Sequence, residues 1–110
     1  MAYLTKLSLS ESEDTSAKVL GELATEYYSA IRSNVAINPN TSTKTLELLA
    51  TDVCYSVRAR VAQNFKTPLN TLEQLATDEH YWVRYWVTKH PNRTELIERL
   101  VLMTNYQLSK

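Results

Sequence analysis

A chain of 110 residues has room for one domain with a modest core. One glycine and three prolines are too few breakers for the tight turns of a β-sandwich or barrel, and one cysteine excludes an internal disulfide or a Cys-ligated cluster. A formal net charge of zero leaves no overall field towards nucleic acid or a membrane surface.

The chain opens on Met1-Ala2-Tyr3-Leu4-Thr5-Lys6, with no long apolar run. Neither a signal peptide nor a membrane span is expected, and the lone Cys54 suits a reducing cytoplasm. Beyond the polar run Ser8–Ser16, the chain matches itself at a shift of 26 residues. Leu20, Leu46 and Leu72 align, as do Leu23, Leu49 and Leu75, and Ala24, Ala50 and Ala76. Glu26, Asp52 and Asp78 form an acidic column. Ile31, Val57 and Val83 are followed by Arg32, Arg58 and Arg84, then by Val35, Val61 and Val87, then by Asn38, Asn64 and His90. Repetition at this period is the signature of stacked units that bury a shared core.

Each unit reads as two helices. The first is expected to begin after Thr15, Thr41 or Thr67, whose hydroxyls can accept from an orphan amide of the first turn. Pro68 is expected at a first helical position, where its missing N–H does no harm. After a polar bend, the second element spans roughly residues 29–37, 55–63 and 81–89. Its inward i,i+4 pairs are Ile31/Val35, Val57/Val61 and Val83/Val87. Residues 2–9 read as a degenerate second helix, with Lys6 in the arginine column and Leu9 in the valine column. Downstream, one residue is lost near Arg93, and Ile97 and Leu100 take the two leucine positions. Tyr106 and Leu108 then fall where a fourth second helix would begin. The organisation is one helical-repeat domain over residues 1–110. It comprises a cap at 1–11, units at about 12–37, 38–63 and 64–90, and a partial unit at 91–110.

The strings Leu46-Glu47-Leu48-Leu49-Ala50-Thr51-Asp52, Val57-Arg58-Ala59-Arg60-Val61-Ala62 with Asn64, and Val83-Arg84 through His90-Pro91-Asn92 resemble leucine-rich repeat variant repeats, a short relative of HEAT repeats. The resemblance covers about residues 12–101. It implies an all-α fold, a short right-handed α-solenoid of about three and a half helical hairpins, and a scaffold or binding role. In that family the second element is α or 3₁₀, and the sequence leaves both open. Some members carry a cysteine-bound iron–sulfur module. This chain lacks those cysteines, so no cofactor or metal is expected.

Two constellations stand out. The acidic column precedes the arginine column by six residues, a spacing that resembles the hydrogen-bonded ladder of HEAT-like repeats. The expected structural ladder is Asp52, Asp78, Arg32, Arg58 and Arg84; a phosphate grip is less favoured, because recurrence in every unit suits a stacking device. Tyr81, Trp82, Tyr85 and Trp86 crowd the third second helix, whose inward face belongs to Val83 and Val87. Equivalent positions in earlier units are mostly small or polar. A partner-binding face of Trp82, Tyr85, Trp86, Arg60 and Lys89 is therefore expected, with cover for the end of the stack, beneath Tyr106 and Leu108, as the competing reading.

His80, His90 and Cys54 form no nucleophile–base pattern, and no phosphate loop or metal motif occurs, so no enzyme is expected. The favoured function is a non-catalytic scaffold for a protein or peptide. The alternatives are a homo-oligomeric module, such as a homodimer joined through the C-terminal end, and a weak nucleic-acid-binding HEAT-like module.

Overall fold

The structure, a computed structural model, describes residues 2–110. Eight α-helices and no strand occur among the described residues: α1 (Tyr3–Glu11), α2 (Ala17–Leu23), α3 (Ser29–Ile37), α4 (Thr43–Leu49), α5 (Tyr55–Gln63), α6 (Leu69–Ala76), α7 (Tyr81–Lys89) and α8 (Glu95–Leu108). The second helices α3, α5 and α7 are α rather than 3₁₀, and they occupy the residues that the apolar periodicity predicts.

The helices are too short to be stable alone, and the apolar columns supply what propensity does not. Leu20, Leu46, Leu72 and Ile97 are fully buried, with Ile31, Val57 and Val83 and with Val35, Val61 and Val87. Each side chain so buried contributes roughly 1.5–3 kcal/mol. Ala24, Ala50 and Ala76 are buried beside them, and Val101 takes the corresponding place in α8. Along one side α1 packs on α3, α3 on α5, and α5 on α7; α8 packs on both α6 and α7. The molecule measures 46 × 25 × 17 Å.

The ends of the first helices differ from the sequence reading. Ser16 and Ser42, not the preceding threonines, are the N-caps; their hydroxyls accept from the amides of Val19 and Thr45. Pro68 occupies the same capping position in the third unit, one residue before the helix it was expected to begin. Thr15, Thr41 and Thr67 are buried and work in the opposite direction. Each hydroxyl donates to a carbonyl at the end of the preceding odd-numbered helix, Leu9, Val35 and Val61 respectively, at 2.6 Å. Those carbonyls belong to the last turn, where helical partners run out, so the threonines tie consecutive helices together.

The asparagine column adds a second tie. Asn38 Nδ2 donates to the carbonyls of Ser10 and Ser12, and Asn64 Nδ2 to those of Ala36 and Asn38. The other side of each amide is used as well: Asn38 Oδ1 accepts from the Asn40 amide and Asn64 Oδ1 from the Lys66 amide, both at 2.9 Å.

At the C-terminal end, α8 runs unbroken through the place where a bend and a fourth second helix were expected. Tyr106 and Leu108 thus belong to the same helix as Ile97. The reason is local. In the earlier bends, Asp52 Oδ1 and Asp78 Oδ1 accept from the amides of Cys54 and His80, which holds the chain out of the helix. With the one-residue loss, Met103 stands in that column, and it has no oxygen with which to stop the helix.

Candidate partner-binding face

The acid and arginine columns meet between units. Arg32 Nε donates to Asp52 Oδ2 at 2.7 Å and Nη2 to Oδ1 at 3.2 Å; Arg58 meets Asp78 with the same two distances. The third guanidinium nitrogen turns back to the bend of its own unit, from Arg32 to the Glu26 carbonyl and from Arg58 to that of Asp52. At the N-terminal end, Lys6 pairs with Glu26 at 2.9 Å. At the other end, the buried Arg84 finds an amide instead of an acid, donating from Nε to Asn105 Oδ1 at 2.6 Å and from Nη1 to the Asp78 carbonyl. The hydrogen bond to Asp52 raises the Arg32 pKa, and that to Asp78 raises the Arg58 pKa, each partly opposed by burial. A cation whose pKa rises on folding adds stability that is complete below its unfolded pKa and lost only as pH climbs through the folded one. The arginine side of these pairs is therefore at full strength until strongly alkaline pH.

With Arg32, Arg58 and Arg84 engaged in this way, the second helices keep two cations with neither an ion-pair nor a side-chain hydrogen-bond partner among the described residues: Arg60 and Lys89. Both are exposed. Arg60 stands in the column of Trp86, on the neighbouring helix.

The aromatic residues of α7 form one interlocked group. Because Val83 and Val87 face the core, Trp82, Tyr85, Trp86 and Lys89 share another side of the helix. The rings of Trp82 and Tyr85 stack at 5.1 Å, within 2° of parallel. Trp86 sets its edge against both, at 5.8 Å and 82° to Trp82 and at 5.5 Å and 84° to Tyr85. Lys89 Nζ lies over the Tyr85 ring, 5.3 Å from its centroid. Trp82 remains 43% exposed, whereas Trp86 packs partly against the core. Such mutual packing fixes the rings, so little side-chain entropy is left to lose on binding.

Beside Trp86 lies a recess of about 220 Å³, lined also by Ile37, Ala62, Gln63, Lys89, His90 and Pro91. The indole Nε1 of Trp86 is buried and has no hydrogen-bond partner. The competing reading placed these aromatics beneath Tyr106 and Leu108. Both of those are more than half exposed, and the ring of Tyr106 meets Lys110 Nζ at 4.6 Å.

Sequence reasoning missed the recess, whose walls come from α3, α5, α7 and the turn after α7, and it missed a second aromatic group along the bends. Tyr3 packs edge-on against Tyr28, with centroids 4.7 Å apart, and Tyr55 stacks on His80 at 3.7 Å and 6°. Tyr27 and Val53 project beside them, 87% and 90% exposed. The available signal was a spacing of 25 residues, one short of the repeat, which brings the first residue of one second helix against the bend of the next. Cys54 lies in the same row, its sulfur 3.8 Å from Arg32 Nη2.

No family model matches the chain, and neither the curated proteins nor the solved structures include a significant match. No helix among the described residues is long and apolar enough to cross a membrane.

Proposed function

We propose that the chain is a short right-handed α-solenoid of the leucine-rich repeat variant kind, serving as a non-catalytic scaffold. It binds a protein or peptide through the face of its second helices, with Trp82, Tyr85, Trp86, Arg60 and Lys89 as anchors. One observation carries this reading: the pre-ordered Trp82–Tyr85–Trp86 group, with Trp82 open to solvent and Trp86 beside a recess. An apolar side chain fits the recess. Trp, Tyr and Arg are the residue types that dominate binding energy at protein interfaces. Two uncommitted cations on this face release few counterions, which favours a protein partner over nucleic acid. Affinity capture with the full chain tests the reading. A partner recovered by the native protein should be lost with Trp82→Ala/Trp86→Ala, provided that the variant keeps its helical circular dichroism. Undiminished capture of that partner by the folded double variant rejects the site.

A further inference from the structure

We propose that α8 is a self-association seam: two copies pack their α8 helices antiparallel about a two-fold axis that passes between Leu102 and Met103. The helix is apolar on two opposite sides. Ile97 and Val101 are buried against the rest of the molecule, with Leu100 half-buried beside them. By the 3.6-residue turn, Leu96, Arg99, Met103 and Tyr106 fall on the far side of the helix, with Leu102 at its margin. The apolar members of that set are each more than half exposed: Leu96 54%, Leu102 67%, Met103 59% and Tyr106 65%. Large apolar side chains exposed together on one side of a helix mark a candidate interaction surface.

The chemistry of the seam selects a second copy as its occupant. The exposed positions 99, 102 and 106, and 96, 99, 103 and 106, alternate steps of three and four, the spacing of a helix-pairing seam. An axis between Leu102 and Met103 places these two side chains against their counterparts at the centre. It then sets Arg99 of each copy on the Tyr106 ring of the other, a cation–π pair made twice. Glu95, in the first turn, comes opposite the end of α8 in the other copy, where Lys110, which lies over Tyr106 within one copy, turns to meet it; acid then meets base at both ends, and the antiparallel helix dipoles also oppose favourably. Within one copy, Arg99 meets Glu95 at 3.0 Å with side chains 70% and 79% exposed. Such a surface pair contributes little, so Arg99 is free to turn towards the other copy. A parallel arrangement would put Glu95 against Glu95 and Arg99 against Arg99.

Sedimentation velocity of the full chain over a concentration series tests this. The native protein should show a monomer–dimer equilibrium. Leu102→Glu/Met103→Glu, which puts four carboxylates on the axis, should weaken it by about a hundredfold or more. Because both positions are exposed, helical circular dichroism should stay native, and Tm should match that of the native chain at a dilution where it is monomeric. Leu48→Glu, at a comparably exposed leucine of α4, should leave the dimer intact. A native protein that stays monomeric throughout overturns the proposal and leaves the α8 face to a different chain. A dimer that survives Leu102→Glu/Met103→Glu, or one abolished equally by Leu48→Glu, also overturns it.

Discussion

His90 shows how one side chain can do the work of another. It stands in the column of Asn38 and Asn64, and its ring reproduces both halves of their amides. Nε2 lies 2.8 Å from the Asn64 carbonyl, which makes it the protonated nitrogen, and Nδ1 accepts from the Asn92 amide at 3.1 Å, as Asn64 Oδ1 accepts from Lys66. The ring is almost completely buried. The sequence placed His90 in this column, but the chemistry that joins a histidine to two asparagines became visible only with the bonds. The corresponding lesson at Thr15, Thr41 and Thr67 is that a hydroxyl beside a helix start can accept for that helix or donate to the previous one. The neighbouring Ser16 and Ser42 take the first task, and sequence spacing alone did not divide the two roles. If His90 acts as an asparagine surrogate, His90→Asn should cost clearly less than His90→Ala, because the amide remakes both bonds and only the smaller volume is left to fill. His90→Ala, which leaves the Asn64 carbonyl and the Asn92 amide without partners, should cost about 1–3 kcal/mol. Urea unfolding measures both, and an asparagine variant as unstable as the alanine one would contradict the surrogate role.

Between elements, a strong polar coupling is expected of Arg58 on α5 with Asp78 in the bend before α7, as of Arg32 on α3 with Asp52 in the bend before α5. The Asp78 carboxylate holds a two-pronged guanidinium and also the His80 amide, and it is nearly enclosed, with side chains 12% and 9% exposed. Asp78→Ala should lower stability by roughly 2–3 kcal/mol. A double-mutant cycle with Arg58→Ala should return a coupling of about 1–2 kcal/mol. The same cycle on the open Arg93–Glu98 pair, with side chains 37% and 50% exposed, should give less than about 0.5 kcal/mol. Additivity at Arg58 and Asp78 would show that the contact does not couple the two helices. The spans of α3, α5 and α7 were legible because the buried pairs Val57/Val61 and Val83/Val87 fix the helical phase and polar bends bound each segment. The course of α8 was not, because alignment carried the bend forward to a place where Met103 lacks the oxygen that Asp52 and Asp78 use to make one.

For the molecule as a whole, labour is divided between columns of residues. Columns of leucine, alanine and valine make the core, and threonine, asparagine, acid and arginine join one helix layer to the next. The side of α7 that serves neither purpose carries the aromatic group. That group was readable from residue types and helical phase. The recess beside it was not, since Ile37, Gln63 and Pro91 are brought together only by the packing of α3, α5 and α7. The chain's two tryptophans both belong to this face, so intrinsic fluorescence reports on it without a label. The direct measurement is an emission and iodide-quenching titration of the full chain with a partner recovered by affinity capture. The account predicts that, at saturation, both tryptophans become shielded from iodide and emission shifts to the blue. Saturable binding that leaves emission and quenching unchanged would place the partner elsewhere and contradict the assignment of this face.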